Sequence, residues 1–182
     1  MIKLKQILNE INTKDIIKRL LVKIQHQQYQ RIGAGDNGIV NKINGEDYVF
    51  KVTQEPAEFE VAEVIVGRET EFNTFIPVLY VHQPKMMYIS GAASKLPTIY
   101  REWISGFEQK FNEYSASLRG EVTIFEYLDA EGGRDTHPTL VSFLRALQED
   151  IRKTGIEDLD LDIDFNEDNV MLYNGQMVMI DW

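Results

Sequence analysis

Cysteine is missing from all 182 residues. Its absence excludes disulfides, thiolate metal sites and cysteine nucleophiles, and leaves the compartment open. No run of about 18 apolar residues occurs, so the sequence predicts no membrane span. The opening stretch MIKLKQILNEINTKDIIKRLL is broken by charges too often for the apolar core of a signal peptide. Positive charge is the third shortage. Lys and Arg number 19 against 29 Asp and Glu, a formal net charge of −10. Such a balance argues against binding nucleic-acid phosphates or an anionic membrane surface. Internal repeats and low-complexity linkers are also lacking. What the chain does have is 43% apolar residues, enough for a packed core. It reads as a soluble, cytoplasmic protein of one domain or two small lobes.

The charge is unevenly placed. Residues 1–31 carry seven Lys/Arg and two acids, whereas residues 157–168 carry seven acids and no base. Apolar residues at Leu4, Ile7, Leu8 and Ile11, then at Ile16, Ile17, Leu20, Leu21 and Ile24, recur at helical spacing. They predict two helices, or one kinked near Asn12-Thr13, over 2–28. From Gln28 the pattern turns to short β-prone runs. IVNKI and DYVFKV flank Asn44-Gly45, a strong hairpin signal. PAEFEVAEVIVGR follows as a helix with Pro56 in its first turn, and FIPVLYVH and MMYIS as two more strands. Residues 98–153 carry apolar residues three and four apart and read as helical, with Gly155 as a C-cap. The run LDLDIDF alternates as a strand does, and VMLY and QMVMI flank a second hairpin signal at Asn174-Gly175. The expected fold class is therefore α+β. A helical extension over 1–27 is followed by an antiparallel sheet with one inserted helix over 28–97. A mostly helical part over 98–182 ends in a β-hairpin.

Within the first sheet, GAGDNGIV sets Gly33, Gly35 and Gly38 as G-x-G-x-x-G, with Val40 two residues on. Glycines let backbone N–H groups approach phosphates without side-chain clash, but an ordinary β-turn uses the same residues. The following β run excludes a dinucleotide crossover, which needs a helix directly after the glycines. Gly-Lys-Ser/Thr is absent, which excludes a P-loop. Lys51 lies among apolar residues on the next strand, where a lysine faces either solvent or a partner. The helix after it offers Glu58, Glu60 and Glu63 as that partner. Glu63 is the first choice because the helix start is expected to fray, and Glu60 is its rival.

Near the end of the chain, Asp164 and Asn169 bracket the loop DFNEDN, and Asp181 closes the last hairpin. One carboxylate and one amide oxygen suffice for Mg²⁺ on a triphosphate, because that ion keeps several waters. A further carboxylate accepts the proton of an attacking hydroxyl. A calcium hand fails, since loops begun at Asp158 or Asp160 put Ile163 or Phe165 where glycine is required. Asp158 and Asp160 read equally well as charges on a solvated edge strand.

The order of glycine turn, strand lysine, helix glutamate, D-x-x-x-x-N and a hairpin ending in Asp resembles the protein-kinase-like superfamily over residues 28–182. GAGDNGIV is similar to its G-x-G-x-x-G-x-V, YVFK to V-A-I-K, DIDFNEDN to H-R-D-x-x-x-x-N, and MIDW to the D-F-G region. The resemblance implies ATP and Mg²⁺ as nucleotide and metal. Gly33, Gly35, Gly38 and Val40 would cover the phosphates, and Lys51 would bind them while paired to Glu63. Asp164 would be the catalytic base, Asn169 and Asp181 the metal ligands, and the adenine would lie near residues 88–96. Asp162 and Ile163 depart from the family's His and Arg, Trp182 replaces its Phe, and no activation segment follows. The resemblance is to small kinase-like proteins of bacteria and their viruses, with a protein or a small molecule as phosphoryl acceptor. Its alternatives are a pseudokinase-like module that binds nucleotide or a partner without turnover, transfer of the nucleotide itself, and an acidic α+β interaction protein.

Overall fold

Helix α1 (Ile2–Gln25) runs unbroken through Asn12-Thr13. The propensity deficit of those two residues, about 1 kcal/mol, is too small to break a helix whose C-terminal half packs on a sheet. The computed structural model describes residues 2–35, 37–118, 122–156 and 163–181, with backbone only for 2–11, 131 and 132. Asp36, Trp182, Asp158, Asp160, Asp162 and most of the alternating LDLDIDF run lie outside the described residues. The described part of that run, Ile163–Phe165, is not a strand.

Five strands form an antiparallel sheet in the order β1-β2-β3-β5-β4. They are β1 (Tyr29–Gly35), β2 (Gly38–Ile43), β3 (Tyr48–Thr53), β4 (Val78–His82) and β5 (Met87–Gly91), with helix α2 (Pro56–Ile65) inserted after β3. Asn44-Gly45 makes the β2–β3 turn, with Gly45 at φ 71°. Alternation gives the sheet two faces. On one, Ile43, Phe50, Met87 and Ile89 bury against Leu20 of α1, with Ile16, Leu21 and Ile24 alongside. The basic end of α1 is anchored there too. Arg19 and Lys23 reach Glu46 of the β2–β3 turn at 2.9 and 2.7 Å, and Lys23 also donates to the Asn44 carbonyl. Lys23's hydrogen bond foremost, with Arg19's, holds the Glu46 carboxyl below its ordinary range. The opposite face carries Lys51 and Tyr88 beside α2.

The chain divides into two units. Residues up to Gly67 together with Pro77–Ala92 form the first, and Arg68–Ile76 with Ala93 onward form the second. The run FIPVLYVH, expected as one strand, is split at Pro77 by this division. Val78 onward joins the sheet as β4, while Phe75 pairs with Met179 in the second unit. Proline has no N–H to continue a ladder, so the run changes partners there.

The second unit contains α3 (Thr98–Ser117), α4 (Ile124–Tyr127), a π turn over 128–132, α5 (Gly133–Asp135), α6 (Pro138–Thr154), β6 (Val170–Tyr173) and β7 (Gln176–Met179). Gly155 caps α6 in the left-handed conformation at φ 71°. Asn174 and Gly175 turn the β6–β7 hairpin with φ 50° and 81°, the conformation that Asn-Gly turns supply. Each edge of the hairpin is held. The Ser94 N–H donates to the Leu172 carbonyl and the Leu172 N–H to the Ser94 carbonyl, both at 2.8 Å. On the other edge the Met179 N–H donates to the Thr74 carbonyl at 2.6 Å and the Ile76 N–H to the Met179 carbonyl at 2.9 Å. Asp150 of α6, 2% exposed, fixes that second edge. Its Oδ2 accepts from the N–H groups of Asn73 and Thr74 and from the Thr74 hydroxyl.

Candidate functional site

In the first unit, Gly33, Gly35 and Gly38 lie on the β1–β2 hairpin, and Gly35 pairs with Gly38 at its turn. The glycine motif is thus a strand–turn–strand. Its three glycines differ in what requires them. A Cβ on Gly38 would meet the Val52 carbonyl oxygen at 2.3 Å, at a φ of +146°. A Cβ on Gly35 meets nothing within 4 Å, and one on Gly33 meets only Val40 at ordinary contact distance. Gly38→Ala should therefore lower stability by about 1–3 kcal/mol in urea melts, while Gly35→Ala should melt as the parent does. If Gly38→Ala also melts normally, the turn is not held as described.

Sheet register lines up Gly33, Val40, Lys51 and Tyr88 as cross-strand neighbours on one row. Directly opposed residues of an antiparallel sheet share a face, so Lys51 and Tyr88 point the same way. Both meet Glu58. The Lys51 ammonium lies 2.8 Å from Glu58 Oε1, and the Tyr88 hydroxyl donates to the same oxygen at 2.5 Å. The Thr53 hydroxyl is 2.7 Å from Oε2. Lys51 is 7% exposed and Glu58 1%.

The carboxylate on Lys51 is therefore Glu58, and neither Glu63 nor Glu60. Glu63 accepts instead from the Gln83 amide, and Glu60 is exposed. The reason is helical phase. Glu58, Val61, Ala62 and Ile65 are all buried, and their spacing of i, i+3, i+4, i+7 is one stripe of α2. The first turn does not fray, because Pro56 opens the helix and three side chains grip Glu58. That stripe was readable in the sequence, as was the alternation that places Thr53 on the face of Lys51. The role of Tyr88 left no local signal. Its phenol, in the stretch expected to line the adenine, is committed to Glu58.

In the second unit, the loop after Asp164 is closed by Asn166, whose Oδ1 accepts from the N–H groups of Asp168 and Asn169 at 2.9 and 3.0 Å. This Asx turn brings Asn169 back to Asp164. The Asn169 amide donates to Asp164 Oδ2 at 3.0 Å and to the Asp164 carbonyl at 2.9 Å. With both N–H bonds so used, the amide oxygen is the atom that remains for a cation. The Ile180 N–H donates to the Asn169 carbonyl at 3.0 Å, so the hairpin returns Asp181 beside Asn169, twelve positions away in sequence. Asp164 is exposed, and Asn169 and Asp181 are half-buried.

An amide oxygen and carboxylates are of the donor type that magnesium takes together with water and phosphate. Among the described residues no group of three or more His, Asp or Glu is placed to hold a metal by itself.

Glu108 of α3 belongs to the same neighbourhood and had no sequence signal. Burial, and then the charges of Asp164 and Glu167, push its carboxyl above the ordinary range. Between the unfolded value and this raised one, the folded chain binds more protons than the unfolded chain. Stability therefore falls as pH rises through that window. Glu108→Gln should flatten that part of a melting-temperature profile and melt higher above it. An unchanged profile would show that Glu108 does not feel these charges.

No protein-family model matches the chain, and neither a curated protein nor a solved structure matches it.

Proposed function

We propose that this protein is a minimal kinase-like phosphotransferase that uses Mg-ATP, with a protein or small-molecule hydroxyl as acceptor. The observation that carries the reading is the Asp164–Asn169–Asp181 arrangement. An exposed carboxylate is hydrogen-bonded by the amide of Asn169, whose oxygen is left for a cation, and a hairpin brings the backbone at Asp181 back beside Asn169. A buried lysine–carboxylate pair next to a glycine turn, on a five-stranded sheet with one inserted helix, supports it further.

In this reading Gly33, Gly35, Gly38 and Val40 cover the phosphates, and Lys51 binds them. Asn169 and Asp181 hold Mg²⁺, which offsets phosphate charge when bound. Asp164 accepts the acceptor's proton. The acceptor oxygen bonds to the γ-phosphorus as the bond to the bridging oxygen of ADP breaks.

Isothermal titration of ATP with and without Mg²⁺ tests this. Binding should require the metal and should weaken in Asp181→Asn. No heat at millimolar Mg-ATP would sink the reading. One observation favours a second reading, a module that binds nucleotide or a partner without turnover. The ammonium of Lys51 is already neutralised by a buried Glu58. Metal-dependent ATP binding with no ADP released over hours would select it.

A further inference from the structure

We infer that Thr53 is a positioning residue that ties the glycine turn to the Lys51–Glu58 pair, so that turn and lysine hold one fixed spacing. Thr53 ends β3 two residues after Lys51, on the same face, and is 3% exposed. It pairs in register with Gly38. Its hydroxyl meets three groups from two segments, the first turn of α2 and the glycine turn. It accepts the Glu55 N–H at the start of α2 at 3.0 Å. It lies 2.7 Å from Glu58 Oε2 and 2.9 Å from the Asn37 carbonyl in the glycine turn. The Gln54 N–H donates to that same carbonyl at 3.0 Å. Gly38, one residue on, is seated so closely that no side chain fits between it and Val52.

A hydroxyl has one proton to donate, and here two acceptors compete for it. An ionised carboxylate is the stronger acceptor. The hydroxyl therefore leans to Glu58 when that carboxylate lacks a counter-charge, and serves Asn37 when Lys51 neutralises it. The grip on the turn thus depends on where the Lys51 ammonium is. Tyr88 shares Oε1 of Glu58 with Lys51 but brings no positive charge to neutralise the carboxylate, so the link does not depend on it.

The consequence for ATP rests on the function proposed above, whereas the coupling does not. The test compares the full chain carrying Thr53→Val, Thr53→Ser or Tyr88→Phe with the parent. Hydrogen exchange is read over residues 33–40 and 54–60 without nucleotide, and KM and kcat are read for Mg-ATP. Thr53→Val removes the hydroxyl and keeps the shape. It should speed exchange over 33–40 by about tenfold, the worth of one lost hydrogen bond, and Thr53→Ser should restore it. Tyr88→Phe should leave 33–40 at the parent rate. Should Thr53→Val not fold, Thr53→Ala against Thr53→Ser gives the same comparison. For Mg-ATP, Thr53→Val should raise KM about tenfold and change kcat far less, a split that a loss of folded protein does not give.

Faster exchange confined to 54–60 would show that Thr53 only caps α2 and would overturn the inference. So would Tyr88→Phe loosening the turn as much as Thr53→Val. If the parent binds no Mg-ATP while 33–40 still responds to Thr53→Val, the coupling stands and the phosphotransferase reading falls.

Discussion

Asp164→Asn should lower phosphoryl transfer by about 10²–10⁴-fold, the usual contribution of a positioned general base, while Mg-ATP still binds. Asp164 is an exposed carboxylate whose loop is closed by Asn166 and whose Oδ2 takes the Asn169 amide at 3.0 Å. An Asn at 164 keeps an oxygen for that hydrogen bond, so the loop and the amide oxygen of Asn169 stay where they are. What it loses is the capacity to take a proton. The substitution therefore separates turnover from binding, which Ala would not do as cleanly. Asp181→Asn makes the contrast, because it should weaken binding itself and only when Mg²⁺ is present. Transfer of labelled γ-phosphate, to the chain itself or to a supplied acceptor, measures the first. Titration calorimetry measures the second. An unchanged transfer rate in Asp164→Asn would remove Asp164 from the reaction.

The features read correctly from the sequence are the local ones. Asn44-Gly45 and Asn174-Gly175 each specify a turn within a few residues, and the flanking strands follow from alternation. The glycine motif as strand–turn–strand, the helix opening at Pro56 and the Gly155 cap are legible for the same reason. Errors begin where a partner is distant. Phe75–His82 has one β-prone pattern, yet its first two residues pair with β7 and its last five with β5. Asp150 reads as one more helix charge beside Lys153, yet its Oδ2 bonds to residues 76 and 77 positions away. Fraying at a helix end, taken alone, favours Glu63 over Glu58, whereas the buried stripe of α2 selects Glu58. Asn169 and Asp181 are an intermediate case. Their adjacency follows from the hairpin, but the amide bonds that orient Asn169 depend on the Asx turn at Asn166.

The largest stability effect should come from Glu58→Ala. It removes the carboxylate that Glu58 sets against the buried Lys51 ammonium and costs about 3–5 kcal/mol, as for other broken buried ion pairs. Loss of activity in that variant, or in Lys51→Ala, would say nothing about phosphate binding, since either can act through unfolding. The informative variant is the double one, Lys51→Met with Glu58→Leu. Replacing both charges by apolar side chains of similar volume is often neutral or stabilising. Thr53 keeps the Asn37 carbonyl as an acceptor, so the donor left behind is the Tyr88 hydroxyl, at about 1–3 kcal/mol if nothing else accepts from it. The double variant should therefore melt in urea well above Glu58→Ala, and adding Tyr88→Phe should recover part of the remainder. A folded double variant then asks the functional question without the structural one. If Lys51 binds phosphates, it should have lost most of its affinity for Mg-ATP. If its affinity equals the parent's, Lys51 is a buried structural cation and the phosphate role assigned to it is wrong.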